Sequence, residues 1–317
     1  MTNSRDNAIG IALLFFVALC WGFVASTVKQ LTATVDPYTI SFFRVFLGVL
    51  VFAAVFALRK GSWRRIRWLL PWVILGALGR AGNYLLYNAG LVQAPTNAVA
   101  ILAPVQTISM AILAKWIIGE GIGRKWVGLV ISVGGLILIW WNGQALSTLL
   151  APEHFWGNAL LALAGVSSAV QFCSQKVLSS RFSSLEILIP VFAMSSAITF
   201  PFAWNAGGFS RSYSAGTWAL LLFLGLVITG GSFMALGEGY RRCSASTAVV
   251  ITDSTIFMTL MISRYVLHES VSAMMVLGAV LGLLGTVAIV WAERHQVRQQ
   301  SAAAQPGQAR PPQRKGE

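Results

Sequence analysis

Ten membrane-spanning helices, set out as two inverted five-helix repeats in an all-α integral membrane protein, are the architecture this 317-residue chain predicts. Three observations predict it. Hydrophobic residues make up 56% of the chain and charged ones 10%, against roughly 25% charged in an ordinary soluble domain; mean hydropathy is +0.71. The apolar residues gather in ten runs, most of them close to the roughly 20 residues that cross about 30 Å of hydrocarbon. A seven-residue phrase also recurs, AKWIIGE at 114–120 and SRYVLHE at 263–269, with an offset of 149 residues. A spacing of almost half the chain marks an internal repeat.

The runs lie near 9–28, 38–58, 68–89, 96–118, 126–141, 156–177, 186–204, 216–239, 246–267 and 272–292. The first is too long for the apolar region of a secretion signal. Only Arg5 precedes it, and it continues into Val28-Lys29-Gln30 without a small-x-small cleavage pattern, so it reads as a mature helix. The fifth is short but ends in Trp140 and Trp141, which suit a membrane interface. The expected units are 1–150 with helices one to five, 151–296 with helices six to ten, and 297–317 as a disordered cytoplasmic tail, polar and rich in Pro and Gln. Cys20, Cys173 and Cys243 lie in or beside helices with no CxxC pair and no His cluster. They read as small apolar packing groups, so no metal and no cofactor is expected.

The net charge of +13 and a pI near 10.4 suggest nucleic acid until the cations are placed. With a cytoplasmic N-terminus, the inward-facing segments hold Arg5; Arg59, Lys60, Arg64, Arg65 and Arg67; Arg124 and Lys125; Lys176 and Arg181; Arg241 and Arg242; and Arg294, Arg298, Arg310, Arg314 and Lys315. Those are seventeen cations, against Lys29 and Arg211 on the other face, with Arg44, Arg80, Lys115 and Arg264 inside helices. This positive-inside bias puts both termini in the cytoplasm and directs the basic segments at anionic headgroups rather than nucleic acid. The expected location is therefore the cell inner (plasma) membrane, with multiple passes.

The repeat extends beyond the two phrases. Lys29 and Lys176 end helices one and six, Gly128 and Gly278 lie early in helices five and ten, and Gly135 and Gly285 follow seven residues later. Five helices per copy is an odd number, so the second copy enters the membrane from the opposite side. Inverted repeats of this kind place a substrate site near the midplane between the halves and permit alternating access.

Five helices repeated, with Trp21-Gly22 in helix one, Arg44 in helix two, and Ala98-x5-Pro104…Glu120 followed by Gly128 and Gly134-Gly135, resemble the EamA domain of the drug/metabolite transporter superfamily. The resemblance spans about residues 8–293 and both copies. It implies a bacterial inner-membrane carrier, in many members an exporter of amino acids or related metabolites. The second copy departs from the pattern. Asp253 stands where the 149-residue offset from Pro104 lands; at the nearby offset of 147 that relates Lys29 to Lys176, Val191 corresponds to Arg44 and Ser168-Ala169 to Trp21-Gly22.

Ionisable side chains inside a membrane helix cost roughly 2.5–3.5 kcal/mol on insertion scales, so each needs a reason to be there. Asp253 sits eight residues into helix nine, about 11–12 Å deep. It is a candidate proton-coupling carboxylate or counter-charge for a cationic substrate group; the alternative is polar glue between helices. Glu238 is a second candidate, though Arg241 and Arg242 at i+3 and i+4 offer it an interfacial pair. Arg44 could bind a substrate carboxylate or snorkel. Arg80, Asn83, Tyr84 and Tyr87 share one face of helix three, with Asn88 beside them, and such a stripe faces protein or a water-filled path. Gln106, Gln171 and Trp21 complete the expected amphipathic pocket. Pro104, mid-helix, frees one backbone carbonyl and is a candidate for gating. GEGIG at 119–123 has no βαβ unit around it and carries no nucleotide-binding meaning.

These residues predict a secondary transporter of a small polar or amphipathic metabolite, an amino acid or related compound, working outward by alternating access. The alternative is a flippase for a lipid or lipid-linked headgroup. No triad, acid pair or ATP-binding motif is present in the sequence, so an enzyme is not expected. The expected partners are a small-molecule substrate, protons and the bilayer, in a monomer or homodimer. In each phrase the cation and the glutamate are five apart and so face different ways. The cation and aromatic fit an interfacial anchor, and the glutamate is expected at the N-terminal amides of helix five or ten.

Overall fold

Backbone polar groups in a bilayer must be satisfied internally, and helices do this within one segment. The computed structural model describes residues 4–61, 70–94, 96–118, 125–141, 152–179, 181–242 and 251–303, and among them every element is helical. α1 is Ser4–Leu31, α2 Pro37–Leu58 and α3 Pro71–Gln93. α4 opens with a 3₁₀ segment, Thr96–Ile101, runs as α-helix through Leu102–Leu113 and closes with a π-helical Ala114–Ile118. α5 is Lys125–Trp141, α6 Pro152–Ser179 and α7 Ser184–Asn205. α8 comprises Ala215–Leu222, a π-helical stretch Phe223–Gly231 and Ser232–Arg242. α9 is Thr255–Val266 and α10 Ala273–Ala303. α10 thus continues past the expected boundary at 296, while 304–317, the GEGIG loop and most of the first basic segment lie outside the described residues.

Among the described residues, six stretches are long and apolar enough to cross a membrane: Ala8–Leu31, Pro37–Leu58, Phe155–Ser179, Ser184–Asn205, Ala215–Gly239 and Ala273–Ala292. Shorter apolar helices, Val105–Ile117 and Trp126–Ile139, accompany them. The chain is a multi-pass integral membrane protein.

Local chemistry sets several helix starts. The Asp36 carboxylate accepts from the Tyr38 N–H at 2.8 Å, with Pro37 at the first helical position of α2. At α7, Glu186 reaches back to the Ser183 N–H at 2.9 Å, half of a capping box. Pro190 and Pro201 lie inside α7; membrane helices tolerate such prolines where surrounding groups re-satisfy the freed carbonyls.

α3 packs on α6, α1 on α8, α2 on α7, α4 on α6, α1 on α9 and α5 on α10. Glycines bring two of these pairs together. A Cβ on Gly79 would stand 2.8 Å from the Ser167 carbonyl oxygen, so α3 and α6 touch backbone to backbone. Between α5 and α10 the contact is reciprocal. A Cβ on Gly135 would meet the Gly278 oxygen at 2.6 Å, and one on Gly278 would meet the Gly135 oxygen at 2.6 Å. Gly128 and Gly285 face each other in the same way. Without a hydrophobic force between helices in lipid, such close approach supplies the attraction.

One end of the bundle is tied by charge. Lys29 of α1 donates to the carbonyls of Leu91 and Ala94 at 2.7 and 2.9 Å, at the C-terminus of α3. Glu269 accepts from the Thr96 N–H at 2.9 Å, at the start of α4, and lies in electrostatic reach of Lys29. This corrects the expected place of the glutamate. Glu269 crosses to the first half of the chain, to the Thr96 amide that opens α4. Trp116 and Tyr265, the aromatics of the two phrases, are 82% and 73% exposed, as interfacial anchors require.

Candidate functional site

A cavity of about 130 Å³ lies where α1, α2, α3, α4, α6, α8 and the start of α9 converge. Its polar lining comprises Trp21, Arg44, Arg80, Asn83, Tyr84, Tyr87, Gln106, Ser168, Thr252, Asp253, Thr255 and Thr259, and its apolar walls include Val24, Val99, Leu102, Phe172, Phe233 and Ile256. Eight residues singled out by sequence therefore share one space: Trp21, Arg44, Arg80, Asn83, Tyr84, Tyr87, Gln106 and Asp253.

The π-helical stretch of α8 fixes two of them. Widening the helix lets the Thr229 hydroxyl donate to the Leu224 carbonyl five residues back, at 2.9 Å, a pattern common where helices carry function. Its oxygen then accepts from Arg44 Nε at 3.2 Å. One turn on, the Ser232 hydroxyl donates to the Ile228 carbonyl and accepts from the Trp21 indole N–H at 2.9 Å. Both cavity residues come from the first half of the chain and are held by hydroxyls from the second.

Arg44 lies 4.1 Å from the centroid of the Tyr84 ring and 5.9 Å from that of Tyr87. Arg80, 3% exposed, is surrounded by Phe233, Tyr84, Phe192 and Phe172 at 4.5, 5.1, 5.2 and 5.7 Å. Each ring face attracts the cation, by up to about 2 kcal/mol when desolvated. Arg80 Nη2 donates to Gln171, which passes a bond on to Gln175 at 2.9 Å. Arg80 Nε and the Tyr84 hydroxyl are buried without a well-formed hydrogen bond, and the hydroxyl lies within reach of the Arg80 guanidinium. Asn83 donates to the Ala164 carbonyl at 2.9 Å, and Ser168 donates to Gln106 at 2.7 Å.

Asp253 stands at an interruption. Residues 251–253 are helical, Ser254 forms a turn, and α9 resumes at Thr255. Carbonyls loosened there are taken by hydroxyls, Ser254 to Ile251 and Thr255 to Thr252, each at 2.6 Å. The Thr286 hydroxyl of α10 lies in hydrogen-bond reach of the Asp253 carboxyl.

Other expected site residues fall elsewhere. Glu238 does not line the cavity; it pairs with Arg242 at 2.8 Å and Arg241 at 3.3 Å on its own helix, because both cations lie one turn away. Asn88 donates to Ser41 at 2.8 Å and ties α3 to α2. Gln171 orients Arg80 from behind and does not line the cavity. The Pro104 side chain lies outside the described ones. Sequence reasoning passed over Thr229 and Ser232, although the run Thr-Gly-Gly-Ser in an apolar helix is a place where hydroxyls find partners across a helix interface.

The chain matches the EamA-like transporter family over two stretches, residues 8–141 and 155–291. It is 27% identical over 269 residues to the uncharacterized inner membrane transporter YhbE of Escherichia coli strain K12, covering 82% of this chain and 81% of YhbE. It is 25% identical over 250 residues to the pseudopaline exporter CntI of Pseudomonas aeruginosa strain PAO1, covering 77% and 82%. A protein of known crystal structure, 20% identical, superimposes with a TM-score of 0.65 over 92% of this chain and 99% of its own, which speaks for the fold alone. With nearly the whole membrane-embedded chain matched in two stretches, this protein belongs to the EamA-like transporter family.

Proposed function

We propose that the chain is a secondary transporter of a small polar or amphipathic metabolite, an amino acid or related compound, and not an enzyme. It works outward by alternating access in an inner membrane, with both termini cytoplasmic. The observation that carries this reading is a cavity shared by the two matched stretches: Trp21, Arg44, Arg80 and Gln106 on one side, Ser168, Phe233 and Asp253 on the other. Charged groups converging on a space between helices are what a solute path needs and what a packing core avoids.

Further support comes from the pattern of packing. On a reading of two inverted five-helix repeats, α1 to α5 correspond to α6 to α10. The pair α3 and α6 is then matched by α8 and α1, α4 and α6 by α9 and α1, while α2 with α7 and α5 with α10 match themselves. A site on the axis of such a pair can open to either face in turn. Asp253 is the candidate coupling group, since among the described residues no second carboxylate lines the cavity.

The test is transport in proteoliposomes with a metabolite screen, amino acids first, with and without a pH gradient. Asp253→Asn is expected to abolish transport or its response to the gradient while membrane insertion and yield stay normal. Unchanged transport with unchanged pH response in that variant removes Asp253 from the mechanism. Competition by a soluble metabolite argues against lipid flipping.

A further inference from the structure

We infer that the cavity recognises an amino acid bearing two carboxylates, with the ammonium group facing Asp253 and the carboxylates on Arg44 and Arg80. This deepens the carrier reading and rests on it.

The charge inventory of the lining carries the inference. Among the described residues, two guanidiniums and one carboxylate line the cavity. Among the described residues neither guanidinium is ion-paired: Arg44 is held by the Thr229 hydroxyl and Arg80 by the Gln171 amide, both neutral. A buried cation without a counter-charge is strongly disfavoured, and here two share a site. The surrounding rings soften that cost but accept no hydrogen bond in the guanidinium plane. The donors agree: in residues 3% and 2% exposed that line the cavity, Arg80 Nε and the Tyr84 hydroxyl are buried with no charged acceptor, only each other within reach. A planar guanidinium with free N–H groups is matched by a carboxylate.

The spacing admits one short molecule for both. The two guanidinium carbons lie 4.1 and 5.1 Å from the centroid of the same Tyr84 ring, hence within about 9 Å of each other. The cavity, at about 130 Å³, is well below the roughly 300–1,000 Å³ of pockets for drug-sized ligands. A ligand with two carboxylates and one ammonium brings the three lining charges to neutrality. A neutral amino acid leaves one guanidinium unpaired, a dicarboxylate without an amine leaves Asp253 beside added negative charge, and a cationic amino acid meets two like charges.

The experiment uses the full chain in proteoliposomes, with competition and counterflow by glutamate, glutamine, glutarate, leucine and lysine. Glutamate is expected to compete about tenfold or more better than glutamine, glutarate, leucine or lysine. Arg44→Gln or Arg80→Gln should erase the preference for glutamate over glutamine, and Asp253→Asn the preference for glutamate over glutarate. A shift of selectivity cannot come from unfolded protein, and if a variant fails to fold the wild-type ranking still decides. A wild-type preference for glutamine, leucine or lysine overturns the inference and leaves the carrier reading standing. Failure of all five solutes in protein with a normal melting transition also overturns it, and the carrier reading then rests on the wider metabolite screen.

Discussion

The Arg44 guanidinium is aimed by a single neutral hydroxyl, that of Thr229, at 3.2 Å. Replacing Thr229 by Val keeps the shape and removes the acceptor. A hydrogen bond to a charged group is worth roughly 1.5–3 kcal/mol, so the apparent KM of the substrate should rise about tenfold with protein yield unchanged. An unchanged KM would show that the stacked tyrosines alone orient Arg44. At this scale sequence was most informative about charge. Arg44, Arg80 and Asp253 stand out because bilayers penalise them, and all three reach the cavity. It was least informative about partnership. Glu238 is as conspicuous by type as Asp253, yet Arg241 and Arg242 neutralise it locally. The apolar walls, such as Phe172 and Phe233, carry no signal that separates them from core.

At the scale of elements, the glycines of α5 and α10 make a sharp contrast. A Cβ at Gly135 would stand 2.6 Å from a backbone oxygen that cannot step aside, whereas one at Gly134 would meet nothing within 4 Å. Gly135→Ala should lower stability by about 1–3 kcal/mol through overpacking. Gly134→Ala should leave it unchanged or raise it by up to about 1 kcal/mol through helix propensity. Melting of the two variants in detergent checks both, and equal Tm values would contradict the seam. Hydropathy located the long helices, because a continuous apolar run has little alternative in a bilayer. It could not reveal where a helix changes type. The π-helical stretch of α8 and the interruption at Ser254 depend on hydroxyls meeting carbonyls three to five residues back, and an apolar average registers neither these nor the 3₁₀ start of α4.

At the scale of the whole molecule, the tie at one end joins three parts of the chain: Lys29 of α1 on the end of α3, and Glu269, before α10, on the start of α4. On the alternating-access reading this is the face held shut. Glu269→Gln weakens its grip on the Thr96 amide, a charged bond worth roughly 1.5–3 kcal/mol. Labelling of a cysteine placed at Val99, in the cavity lining, should then quicken about tenfold from that face; an unchanged rate would show that the tie does not gate entry. The duplicated phrase was legible as a marker of repetition. Its glutamate was misplaced because its partner lies 173 residues away, on Thr96. Only the folded chain sets that distance.

The reciprocal glycine seam has one more consequence. Gly135 meets Gly278 and Gly128 meets Gly285, so each contact is one that a half-length protein would make with a second copy of itself. Two separate copies, however, must carry every side chain twice. Any acid on the axis would face its own duplicate, and any arginine would come as a symmetric pair. Joining the copies in one polypeptide lifts that restriction. On the reading of two repeats, Asp253 takes the place of Pro104 and Val191 that of Arg44, so the cavity would present a carboxylate to one side of its guest. Fusion, on this view, gave a symmetric scaffold a way to tell one end of a molecule from the other.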